Sequence, residues 1–360
     1  MAWPFPVVVK LCASQRGTMR KLRVRTPVTA LVLFFVLTLH VPQLNGQNLD
    51  RPDGRGNSAP VGRQRRSFTP PTKSFTVGNG PRGIAFDGTD LWVANSADNN
   101  VTELRASDGA VVRTVAVKTA PDGVLFDGTN IWVVNQGRDP KVAGSVTKLN
   151  PADGTTLGIF PVGQHPSTAA FDGVNIWVAN THDNTVTKLR AKDGARIGTY
   201  PVGSYPYGVV FDGANIWVAN FSGNDVTKLR ASDGALLGTY NVGSLPLVPA
   251  FDGENIWVAN HGSSTVTKLR SSDGVVLGTF NVGVKAYGAI CVGTTVWIAN
   301  DGGNSVTKLR TTDGSVLRTV PVGLSPEGFA FDGSSVWVTN SRSQSVTKIL
   351  ASGDGSIAKP

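Results

Sequence analysis

Cysteine is almost absent: the 360 residues contain two, Cys12 and Cys291. Cys12 falls in a leader segment, so a processed chain keeps Cys291 alone and no intrachain disulfide framework can hold it. The body must therefore be held by its core, and Cys291, standing where other copies of a repeat carry Phe211, Phe251 or Phe331, reads as a packing residue. Long apolar runs are also missing. The longest, near Val28–Leu39, is about a dozen residues, short of the ~20 that a membrane-spanning helix needs. No stretch keeps helical periodicity over ten residues, which argues against a helical fold. His-x-His, His-x-x-x-His, His-Glu-x-x-His and Gly-x-Ser-x-Gly spacings are lacking, so no metal or nucleophile motif stands out. Nor is there an Asp-x-Asp-x-Asp-Gly ladder for calcium.

The net charge of +9 is misleading about partners. Residues 1–72 hold eleven Lys or Arg against Asp50 and Asp53, while 73–360 balance 23 basic with 23 acidic residues. The basicity lies outside the body, and nucleic acid is not an expected partner. The leader has a basic start (Met19–Arg25), the short apolar run, and Gly46 at a plausible cleavage point. That is the layout of a secretory signal, so 1–46 is expected to direct export, with Met19 an alternative start. Membrane contact is expected only through that signal. Residues 47–72 are polar and rich in Pro and Gly and read as a disordered linker.

What is present is repetition. Tryptophans at 92, 132, 177, 217, 257, 297 and 337 mark seven copies at a period near 40 residues; one longer interval holds an insertion around Gln136–Ser145. One copy parses into four strands: Tyr207–Phe211, Ile216–Asn220, Asp225–Arg230 and Ala235–Gly243, separated by Asp-Gly turns and a short loop. "IWV" is apolar at consecutive positions, as suits a strand covered on both faces. The expected fold is all-β, a seven-bladed β-propeller of four-stranded antiparallel blades over 73–350 with a tail at 351–360. The last copy lacks a fourth strand, and Lys73–Gly78 before the first copy matches its tail. The N-terminal strand is therefore expected to complete the last blade and close the ring.

The repeat "FDGxxIWVANxxxxTVTKLRxxDG" resembles the YVTN and NHL-type propeller repeats and, more distantly, the propeller of the streptogramin lyases. Such repeats occur in surface-layer proteins, sensor domains, binding scaffolds and a few enzymes. Resemblance to the lyases would imply His and Glu acid/base residues with a magnesium ion. Their repeats tend to carry an acidic residue after the aromatic strand, where this chain has Asn in every copy.

The repeated residues read as scaffold. The strand-ending Asn (Asn95, Asn135, Asn180, Asn220, Asn260, Asn300, Asn340) are taken as loop-formers tolerant of left-handed backbone. The third-strand lysines (Lys148, Lys188, Lys228, Lys268, Lys308, Lys348), with Glu103 in their place in the first copy, read as a solvated outer face. Choice begins where the copies disagree: directly after the Asn (Ser96, Gln136, Thr181, Phe221, His261, Asp301, Ser341), and after Pro in "VGxxPxG". Candidate ligand-binding residues are Arg82, Asp122, Tyr205, Tyr207, Phe221, Tyr287 and Glu327 on the loop face around the channel. Relaxed constraint in exposed loops is the alternative. His165, His182, His261 and Glu327 are the only catalytic candidates. A divalent cation is expected only for a lyase, and no other cofactor. Three functions follow: an exported binding scaffold for a protein or small molecule, acting as a monomer; a lyase or hydrolase of a lactone-like or sugar-derived molecule; or a structural surface-layer or adhesion module.

Overall fold

Valine, isoleucine and threonine crowd the segments between Asp-Gly pairs, and branching at Cβ favours the pleated conformation there. The computed structural model describes residues 72–139 and 141–352. Seven four-stranded antiparallel sheets follow one another, six with their strands in sequence order and the seventh with the first strand of the described chain at its outer edge. In the fourth blade these are Pro206–Phe211, Asn215–Asn220, Asp225–Arg230 and Leu236–Asn241, within a residue or two of the sequence parse. The chain is a seven-bladed β-propeller. Thr72–Thr76 lies antiparallel to Ser345–Leu350 in the seventh sheet, with Phe75 opposite Val346. Phe75 packs tilted against Trp337 with ring centroids 5.3 Å apart, as Tyr200 does against Trp177 in the third blade. The leader, the linker up to residue 71 and the tail beyond 352 lie outside the described residues. Among the described residues, no helix is long and apolar enough to cross a membrane.

The core lies between blades. Trp177, Ala179 and Val186 of the third blade pack against Val209, Ile216 and Val218 of the fourth. All seven repeat tryptophans are fully buried, each contributing on the order of 150–250 Å² of covered surface. Their indole N–H groups are satisfied locally. Trp177 Nε1 donates to Asp172 Oδ2 at 2.7 Å, and the other oxygen of Asp172 accepts from the turn amides of Val174 and Asn175. The Asp of each Asp-Gly pair thus builds the turn and anchors the tryptophan. The sixth blade has Val292 there, and Trp297 turns to Thr295 instead.

The lysines correct the expectation of a solvated face. Lys188 is 4% exposed. Lys188 lies opposite Trp177 in the strand register, and its Nζ sits 4.8 Å from the indole centroid. Nζ also donates to the carbonyls of Ala231 and Ser232 in the next blade, at 2.7 and 3.2 Å. A buried ammonium needs such partners, and the cation–π contact supplies another. Lys348 repeats the contact from the seventh blade to Ala106 in the first. Glu103 departs from the series with compensation: Arg113 reaches it at 2.6 Å and donates to Ala152 of the second blade.

The strand-ending asparagines also differ from the expectation. They are buried rather than left-handed. Asn180 Nδ2 donates to Thr187 Oγ1 at 2.8 Å, tying the second strand to the third. The left-handed role belongs to a different set, exemplified by Asn184 (φ 53°), whose side chain accepts from the Tyr205 amide.

Candidate functional site

Each innermost strand begins at the loop side of the channel, so the residue after its first position faces the axis. Glycine next in line lets the strands close up: a Cβ at Gly83 would collide with the Asp122 carbonyl, and one at Gly288 with the Glu327 carbonyl. Arg82, Asp122, Tyr207, Tyr287 and Glu327 are thereby drawn together from five different blades.

They form a polar diaphragm. Tyr207 Oη donates to Asp122 Oδ2 at 3.1 Å, and the Tyr207 and Tyr287 hydroxyls bond each other. Their rings meet edge to face at 6.0 Å. Gln136 Nε2 donates to Asp122 Oδ2 at 2.6 Å, and Arg82 approaches Oδ1 at 3.5 Å. The two other positions of the ring carry no charge: Ser167 bonds the Tyr207 carbonyl, and Leu247 is buried.

Burial and charge set the protonation states. Asp122 holds the Arg82 guanidinium firmly charged. Burial pushes the Tyr207 and Tyr287 phenols well above their ordinary range, so both remain donors. Glu327 is 8% exposed. Burial raises its carboxyl to about 7, against the opposing pull of Arg82 and a hydrogen bond with Ser341. Its Oε2 is buried without a hydrogen-bond partner among the described residues.

The diaphragm divides the channel. Toward the Asp-Gly turns lies a space of about 150 Å³ with Val124, Val209, Val248 and Phe329 in its walls. Toward the loops a cavity of about 400 Å³ is bounded by Arg82, Tyr287, Asp301, Glu327, Ser341 and Arg342. Tyr205 and Phe221 are not part of this cluster. They stand in a row of rings over the third and fourth blades: His165–His182 stacked at 4.6 Å, then His182–Tyr205 at 5.5 Å and Tyr205–Phe221 at 5.7 Å. The sequence marks Gln136, Asp301 and Ser341 only as positions where copies disagree. What it lacks is the strand register that sets Gln136 beside Asp122 and Ser341 beside Glu327, and the packing of the sixth blade on the seventh that brings Asp301 near.

The histidines do not meet the carboxylates as an acid/base pair would require. His165 Nδ1 is buried without a hydrogen-bond partner, and burial with the neighbouring His182 keeps its imidazole neutral. His261 faces Asp301 at 3.8 Å, beyond hydrogen-bond reach, and burial lowers its pKa as well. No group of three or more His, Cys, Asp or Glu side chains could hold a metal ion among the described residues.

No protein-family model and no curated protein matches the chain. Its fold is shared with the structure of streptogramin B lyase at a TM-score of 0.66 and 19% identity, over 78% of this chain and 97% of that one. The chain is distantly similar to streptogramin B lyase. It is also similar to hydrazine synthase of Kuenenia stuttgartiensis, at a TM-score of 0.65 and 19% identity over 82% and 99% of the two chains. At that identity both likenesses speak for the propeller and not for an activity.

Proposed function

We propose that the protein is an exported binding scaffold whose loop-side channel mouth receives a small polar ligand. The observation that carries this is the buried Glu327 carboxyl at the wall of a 400 Å³ cavity, whose Oε2 has no hydrogen-bond partner among the described residues. An orphaned buried polar group costs about 1–3 kcal/mol, and a ligand donor or acceptor would recover it. A cavity of about 400 Å³ walled by charged and polar side chains supports binding over a purely structural surface-layer or adhesion role. The lyase reading has less behind it, because neither His165 nor His182 is joined to a carboxylate by a hydrogen bond or ion pair among the described residues. Export rests on the leader, and the YVTN and NHL-type resemblance fits a propeller working outside the cytoplasm.

A fragment screen by ¹H–¹⁵N NMR on the processed chain tests the mouth directly. Binders should shift the amides of Ser96, Asp301 and Ser341, and Tyr287→Ala should weaken them while thermal unfolding stays cooperative. Hits that gather at the Asp-Gly turns, or survive Tyr287→Ala unchanged, would move the site elsewhere. Cell fractionation with N-terminal sequencing should find the chain exported and beginning near Gln47.

A further inference from the structure

We infer that the loop-side mouth holds its ligand by a carboxylate group, clamped between the guanidinium groups of Arg82 and Arg342. The inference rests on the reading of this mouth as a ligand site and names what it takes.

Arginine offers five N–H donors in a planar fork that matches a carboxylate. Arg82 makes a single long approach to Asp122, at 3.5 Å, and its side chain is 36% exposed where it borders the cavity. Arg342 enters the same cavity from the seventh blade and has no ion-pair partner among the described residues. Two arginines with donors to spare therefore line one space.

No acidic side chain pairs with Arg342 among the described residues. Asp122 accepts from Gln136 and Tyr207 besides meeting Arg82. Asp301 faces His261, with the Lys285 charge close by. Glu327, facing Arg82, Asp122, Asp301 and Ser341, is held as the neutral acid by burial below about pH 7. The mouth then has the cations Arg82, Lys285 and Arg342 against the anions Asp122 and Asp301. A cationic ligand would meet the arginines, and a neutral one would leave their donors unused. A carboxylate answers both guanidiniums and can accept a hydrogen bond from protonated Glu327.

Succinate and its uncharged counterpart succinamide provide the test, read on the arginine Nε–Hε signals of the processed protein. Succinate should shift the Arg82 and Arg342 signals saturably, with succinamide at least tenfold weaker. Arg342→Gln should raise the succinate Kd about tenfold, the loss of one charge-assisted contact, and Arg342→Lys should recover part of it. Arg342 is exposed, so neither variant threatens the fold. Equal binding of the two probes would overturn the carboxylate assignment and leave the mouth as a ligand site. If neither probe moves any mouth signal, the carboxylate assignment falls. The wider ligand-site reading falls only if the fragment screen finds nothing there as well.

Discussion

The two ends of each blade use the same number of loops for opposite purposes. At the turn side, the third blade's Asp172 takes the Trp177 indole and the turn amides, and Lys188 caps two carbonyls of the next blade. The same arrangement recurs around the ring with few departures. At the loop side the copies agree as far as Asn180 and its bond to Thr187, then diverge. There, Glu327 Oε2 and His165 Nδ1 are buried without a hydrogen-bond partner, and Arg342 stands exposed at the cavity with no ion-pair partner among the described residues. Polar groups closed on one another specify a fold. Polar groups left open to a cavity are available to a ligand.

If that division is right, turn-side substitutions should damage stability and spare binding. The largest effect belongs to Trp217→Ala, which empties a fully buried site and should cost about 3–5 kcal/mol in urea unfolding. A loss below about 1 kcal/mol would mean that the inter-blade core is not what holds the ring.

The next effect comes from the loop side and depends on pH. Glu327 has its carboxyl raised from 4.5 to about 7 by burial. The unfolded chain releases that proton first, so the group's contribution is complete below pH 4.5 and is lost as pH rises to 7. The loss should reach roughly 3 kcal/mol. Glu327→Gln should abolish this part of the slope and leave the protein more stable than wild type at pH 8. Parallel stability–pH curves for the two proteins would contradict the burial argument.

Smaller still is Lys228→Met, which keeps the side-chain bulk but removes the cation over Trp217 and its bonds to Ser271 and Ser272. A cost of about 1–2 kcal/mol is expected, with probe binding unchanged. At the bottom of the scale, Tyr205→Ala in the half-buried ring row should shift stability by no more than about 0.5 kcal/mol. Differential scanning calorimetry on both variants ranks them, and an inverted order would erase the contrast between the two sides.

Much of this was legible in sequence, for identifiable reasons. A 40-residue period with Asp-Gly punctuation leaves few folds, so the blade count and strand order follow from spacing alone. The lysines misled because hydropathy cannot show a buried ammonium whose partners are an indole one strand away and carbonyls some 43 residues on, as for Lys188 and Ala231. The asparagines misled for a related reason: their Thr partner lies seven residues ahead, across a hairpin. The site was half legible. Variable positions pointed to Arg82, Asp122, Tyr207, Tyr287 and Glu327, but not to their meeting across the axis, which depends on ring closure and on contacts 80 or more residues apart. Tyr205 and Phe221, taken from neighbouring loop positions of the repeat, stand in a separate row over two blades.

Ligand capture at the mouth turns on Glu327 being a buried, neutral acid that a carboxylate ligand engages. Carbon-13 NMR of its side-chain carboxyl, titrated with and without saturating succinate, measures that directly. A midpoint near 7 that rises when succinate is present is the predicted result, because a bound anion favours the protonated form. A midpoint near 4.5, unmoved by succinate, would contradict it.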